Sequence, residues 1–318
     1  MKSDMRISRT SFFSEGGIQK DFAWLLSIAI SYMIGVRIGL FFRVESIGMA
    51  TIWPPSGIAL AALILSEKKK WVWVILVIFA SNVFGNLLGD NSLLISLGFA
   101  LANITESLVC AFILTFFLGS AITFSRMTEV CVLIGIALFA NAIIALLGAS
   151  IPALAFGAQF FDTWLVWWIA DGLGIILVTP FLIVWLTNPN ILQNLTARRL
   201  IEAIILLFII SAASWLPFDT SIAEKIPYFR YYMIFPLLIW MTFRFSQRSV
   251  LTMVLLFVVI LLAMSLKGQF VSGLTDQQVR ILILSIQILF IIVTITVLIL
   301  TAVIYERKLA EAALSKSE

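Results

Sequence analysis

The chain has 318 residues, of which 62% are hydrophobic and 12% charged, with a formal net charge of +4 and a mean hydropathy of +1.10. A soluble domain carries roughly 25% charged residues, so a water-soluble globular protein is excluded and an integral membrane protein is expected. Histidine is absent and cysteine occurs twice, which excludes bis-histidine haem, His-ligated zinc, a Ser-His-Asp triad and a Cys₄ cluster; neither a metal nor another cofactor is expected.

Residues 1–20 are polar and lack the apolar core of a signal peptide. Ten apolar stretches follow, at 22–42, 53–66, 71–89, 93–119, 128–152, 161–186, 199–217, 229–245, 248–266 and 279–304. They are too long and continuous for the alternating strands of a membrane barrel. The predicted fold class is therefore all-α, a polytopic helix bundle with about eight to ten transmembrane helices. With the N-terminus inside, fifteen of the 21 Lys and Arg fall in loops on that side, against six on the other. That bias predicts both termini in the cytoplasm. The excess of positive charge is thus a topology signal, with the bilayer as partner, and no nucleic acid is expected.

In the first stretch Arg37 lies several residues inside the apolar run, where a cation calls for a carboxylate; Glu106 and Asp171 are the candidate partners. The second stretch reads "TIWPPSGIALAALILSEKKK". Proline fits the first turn of a helix and disfavours helix in the residue before it, so a helix begins near Pro54, Pro55 or Ser56. From Trp53 to Ser66 it is too short, at ~1.5 Å per residue, to cross a core of ~30 Å. Either its first turn is recessed beside a cavity lined by "VESIGMATIW", offering free N–H groups to an anionic or carbonyl-bearing ligand, or the helix is an ordinary tilted one with a proline cap.

In "SNVFGNLLG", Asn82, Gly85, Asn86 and Gly89 share one helical face, suited to close packing and interhelical hydrogen bonds. In "ALANITESLVC", Asn103 and Glu106 are three apart on one face. A carboxyl at mid-membrane faces the bundle interior, where it pairs with a cation or is carried as the neutral acid. Cys110 and Cys131 fall within helices and are expected to pack as small apolar side chains. In "FFDTWLVWWIADGLGIILVTPFLIVW", Trp164, Trp168 and Asp171 share a face, fit either for an amphipathic ligand or for an interfacial tryptophan belt. "WPPSGIALAALIL" and "WIADGLGIILVTP" share Trp, then Ser or Asp three residues on, then Gly, the pattern of a short parallel repeat. The last stretch runs without Gly or Pro into "YERKLAEAALSKSE", so its helix is expected to continue past the membrane.

These motifs, with "GN" at 85–86, "NITE" at 103–106 and "LLIWMTFRFSQRSV" at 237–250, resemble the membrane-associated sensor domains of the first type, the MASE family of bacterial signalling proteins, over roughly residues 20–305. The resemblance implies a cytoplasmic tail at 1–20, a sensory transmembrane domain at 21–304 and, at 305–318, a helical linker to an output region of the histidine kinase, PAS or cyclic-di-GMP type. It implies residence in the bacterial inner membrane, action as a homodimer, and a signal that is a small molecule or a membrane protein. It assigns to Trp53, Pro54, Ser56, Asn86, Asn103, Glu106, Trp168 and Asp171 a sensing or structural role, and no catalysis. The alternative is a secondary transporter or substrate-binding membrane component, for which the short Pro-led helix and the intramembrane carboxyls speak. A membrane enzyme using Glu106 and Asp171 as paired carboxylates has no histidine or metal motif to support it.

Overall fold

In lipid a backbone satisfies its polar groups only internally, and the apolar stretches accordingly wind into helices. The computed structural model describes residues 17–44, 49–119, 121–187, 196–215, 234–267 and 275–315. In chain order the helices are α1 (Ile18–Phe41), α2 (Pro54–Leu65), α3 (Trp71–Leu87), α4 (Leu93–Leu118), α5 (Met127–Gly135), α6 (Asn141–Phe156), α7 (Phe160–Thr187), α8 (Ala197–Trp215), α9 (Phe235–Arg244), α10 (Gln247–Lys267) and α11 (Asp276–Leu314). A turn of 3₁₀ helix, Lys68–Lys70, leads into α3, and a stretch wound at π pitch, Ile136–Ala140, joins α5 to α6.

Each predicted apolar stretch contains helix, the fifth as α5, the π stretch and α6 together. Residues 216–217 of the seventh and 229–233 of the eighth lie outside the described residues. Among the described residues, seven helical runs are long and apolar enough to cross a membrane. Of the others, α2 and α9 have 12 and 10 residues, and α8 carries Arg198, Arg199 and Glu202 near its start. The sequence suggests no strand, yet β1 (Arg43–Val44) and β2 (Met49–Ala50) form a two-rung antiparallel ladder, Arg43 opposite Ala50 and Val44 opposite Met49. This ladder satisfies the backbone as the chain doubles back from α1 into α2.

The bundle is built around α2. Pro54, Pro55, Ser56 and Gly57 are buried, as are Ala59 to Leu63, the pattern of a helix apolar on every side and wrapped by neighbours. It packs on α1, α4 and α7. Helix α1 runs antiparallel to it: Trp24 Nε1, near the start of α1, donates to Ser66 Oγ at 3.0 Å, while Gly39, near its end, lies against the Trp53 ring. Helix α7 runs parallel to α2, because Trp53 N donates to Ala170 O at 3.1 Å and, further along both helices, Thr179 Oγ1 donates to Gly57 O at 3.2 Å. The two similar Trp-led stretches thus lie side by side and point the same way.

Arg280 at the start of α11 is ion-paired with Asp162 at the start of α7. Helix α11 therefore begins at the end of the bundle where α1 finishes, and its C-terminal part emerges at the end where α1 begins. At 39 residues and ~1.5 Å per residue, α11 is ~58 Å long, about twice a ~30 Å hydrocarbon core. Its last turns are exposed from Tyr305 onward wherever side chains are described.

Candidate functional site

The prolines place the first turn of α2 where expected, with Trp53 as N-cap and Pro54 and Pro55 at the first two helical positions. In the described part of the chain entering it, Thr51 is held by protein on three sides. Thr51 N and Thr51 Oγ1 both donate to Phe42 O, at 3.4 and 3.1 Å, and Thr51 O accepts from Gln287 Nε2 at 2.9 Å. Of the "VESIGMATIW" entry segment, residues 45–48 lie outside the described residues. Glycine allows α2 and α7 to meet backbone to backbone. A Cβ on Gly57 would collide with the Gly174 carbonyl, and one on Gly174 with the Trp53 carbonyl.

That close approach brings Ser56, Glu106 and Asp171 together from three helices. Ser56 Oγ donates to Glu106 Oε2 at 2.9 Å, and Asp171 lies close enough to both to interact with them electrostatically. All three residues are buried. The first turn of α2, the positive end of its dipole, thus has two carboxyl groups of the protein itself beside it. Among the described residues no Lys or Arg forms an ion pair with Glu106 or Asp171. A serine hydroxyl has one hydrogen to donate, and here it goes to Glu106.

Acceptors without donors surround this cluster. Glu106 Oε1, Asn103 Oδ1 and Asn141 Oδ1 are buried without a hydrogen-bond partner. Asn103 precedes Glu106 by one turn on α4. Asn141, at the start of α6, donates from Nδ2 to Trp168 O at 2.9 Å and lies against Gly172, flanking the turn of α7 that carries Asp171. An assembly so rich in acceptor oxygens suits a cation or a hydrogen-bond donor rather than an anion.

Trp164 and Trp168 stack with ring centroids 5.3 Å apart. Their indole N–H groups donate to Ala142 O and Ala137 O at 2.8 and 3.1 Å, so both rings are tied to the π stretch and the start of α6. Their polar edges are used in holding α7 to that hairpin. The π stretch sits directly beside the cluster, a common location for such irregular turns.

Two predicted residues are not in the cluster. Asn86 belongs to a separate buried chain: its Nδ2 donates to Asn82 Oδ1 at 2.7 Å, and Asn82 Nδ2 donates to Tyr32 OH at 2.6 Å. The far end of that chain, Tyr32, comes within electrostatic reach of Glu106 and Asp171. Arg37 pairs with neither acid. It is exposed and borders an open groove with Arg43 and Asp90, because α1 turns its Gly35, Val36 and Gly39 face inward and so directs Arg37 away from the core. Cys110 is buried as expected, whereas Cys131 is exposed.

Sequence reasoning missed two residues. Asn141 interrupts the apolar "LIGIALFANAIIALLG" and Gln287 interrupts "RILILSIQILFIIV"; a lone amide in a membrane helix was the available signal. Gln287 is fully buried, with Oε1 lacking a partner and Nε2 holding the carbonyl of Thr51. It joins α11 to the segment that leads into the first turn of α2.

A polytopic helix bundle with a buried polar cluster at its centre defines a membrane-embedded domain rather than a soluble module. The MASE1 family model matches residues 24–308, and the chain belongs to that family: it is a multi-pass, membrane-associated sensory domain of bacterial signalling proteins. No curated protein and no solved structure matches it.

Proposed function

We propose that the Ser56–Glu106–Asp171 cluster, with Asn103 and Asn141, is where this domain perceives its signal, and that α11 carries the response out of the membrane. In this reading residues 21–304 are the sensing unit of a protein of the bacterial inner membrane, both termini are cytoplasmic, and residues 305–318 lead to an output region. That output is a histidine kinase, a PAS-containing protein or a cyclic-di-GMP enzyme acting as a homodimer, and the sensory domain itself performs no catalysis. The observation that carries the reading is the Gln287–Thr51 hydrogen bond, 2.9 Å long and buried. It links the output-facing helix to the chain two residues ahead of Trp53. At its other end α11 touches α5, where Met127 N donates to Glu306 Oε1 at 3.0 Å. A signal that binds two arrangements of the bundle unequally shifts their populations, and α11 has contacts near both of its ends through which such a shift is transmitted.

The test is the output of the intact protein carrying Glu106→Gln or Asp171→Asn. Output is expected to change while the amount of protein in the membrane does not; unchanged output in both variants would reject the site. A chain mass well above 35.4 kDa in native membranes is expected from an attached output region. The buried carboxyls also support a second reading, a transporter, which predicts saturable uptake into proteoliposomes that Glu106→Gln abolishes.

A further inference from the structure

We propose that the groove at the end of α1 seats the headgroup of a single anionic phospholipid. This is a second site, opposite in charge to the acidic cluster and independent of it. The groove is an open cavity of about 650 Å³ between the last turns of α1, the start of β1 and the turn after α3. Among the described residues, two guanidinium groups, Arg37 and Arg43, border it together with one carboxyl, Asp90. Neither guanidinium has a hydrogen-bond or ion-pair partner among the described residues.

The walls and the charge select the occupant. Ile34, Ile38 and Phe41 line the same groove and are 54%, 38% and 57% exposed. On a membrane domain such side chains meet acyl chains. Arg37 lies four residues before the end of α1, ~6 Å along the axis, a depth from which a long side chain reaches phosphates at the interface. Two guanidiniums form a paired donor set for a phosphodiester. Asp90 reduces the net charge of the groove to +1, disfavours a second negative charge, and accepts a hydrogen bond from a headgroup hydroxyl. The complement is a monoanionic phosphodiester with a hydroxyl and a lipid tail, the chemistry of phosphatidylglycerol.

The seat also adjoins the route to α11. Arg43 is opposite Ala50 in the β ladder, and the next residue, Thr51, is the one whose carbonyl Gln287 holds. Occupation of the groove fixes the strand that borders this junction, so lipid composition becomes an input separate from the buried cluster.

The experiment is native mass spectrometry of the full chain in detergent, titrated separately with phosphatidylglycerol, phosphatidylcholine and phosphatidic acid, with glycerol 1-phosphate as a tail-less competitor. One phosphatidylglycerol is expected to bind at least about tenfold more tightly than phosphatidylcholine, and the Arg37→Gln/Arg43→Gln double variant is expected to lose that preference. Asp90→Asn is expected to raise phosphatidic acid binding relative to phosphatidylglycerol. Equal retention of phosphatidylglycerol by wild type and double variant, or no preference over phosphatidylcholine in wild type, would overturn the proposal. Displacement by glycerol 1-phosphate at equal concentration would overturn the lipid assignment in favour of a free phosphate. Both arginines are exposed, so the variants are expected to fold; the single variants, each losing part of the preference, supply the same reading should the double variant fail to accumulate.

Discussion

Ser56 has one hydrogen to give, and it goes to Glu106. Its hydroxyl is the only side-chain donor recorded on Glu106 among the described residues, so removing it leaves buried acceptors with still fewer donors. Ser56→Ala is therefore expected to alter signalling as strongly as Glu106→Gln, while costing on the order of 1 kcal/mol of stability, the scale of a single intramembrane hydrogen bond. Comparison of output with thermal unfolding in detergent checks this. A large output change beside a small stability change marks a sensing role, whereas parallel losses mark a merely structural one. At this scale the sequence was partly legible. Glu106 and Asp171 stood out because a carboxyl in an apolar run has few ways to be satisfied. Their meeting through Ser56 did not, since Ser56 and Glu106 are 50 residues apart and residue spacing carries no information about which helix faces which.

Between elements, the decisive contact is the α2–α7 crossing. Gly57 and Gly174 let the two backbones touch, and any side chain there meets carbonyl oxygen rather than a neighbour that can yield. Gly57→Ala is expected to lower stability by about 1–3 kcal/mol, the cost of overpacking, and to disturb the cluster one residue away. Gly135→Ala is its control: a Cβ at Gly135 in α5 meets nothing within 4 Å, and replacing an interior helical glycine removes a backbone cost of about 0.5–1 kcal/mol. Thermal unfolding of the two variants in one detergent should move in opposite directions. The start of α2 at Pro54 was legible because proline acts on its own backbone and that of its neighbour. The π stretch was not, because it depends on a partner elsewhere, Trp168 of α7 donating to Ala137 O within it, and the two-rung β ladder is too short to leave a pattern along the chain.

Across the whole molecule, α11 makes polar contacts near each end of the bundle, at Arg280, Gln287 and Glu306, and it continues beyond. Gln287→Leu is expected to leave the membrane level of the protein intact while uncoupling output from changes at Glu106, so that Gln287→Leu/Glu106→Gln behaves like Gln287→Leu alone. Inserting one residue after Tyr305 turns everything beyond by ~100°, whereas seven residues restore the facing after about two turns. Output in the intact protein is expected to fail with the first insertion and to return with the second. Additive effects of the Gln287 and Glu106 changes, or indifference to both insertions, would argue against transmission through this helix.

What the amino-acid sequence by itself determined was everything that depends on neighbours along the chain: membrane residence, helical class, helix positions, the start of α2 at its prolines and the continuation of α11. Hydropathy, proline geometry and unbroken helix-forming residues act within a few turns of where they stand. Only the tertiary structure decided which polar groups share a site. It brought Ser56, Glu106 and Asp171 together, added Asn141, set Asn86 in another network, turned Arg37 outward and tied Gln287 to Thr51. In a bundle apolar on nearly every face, the register between helices is set by where backbones can approach and where the few polar groups find partners, and that is a property of pairs of helices.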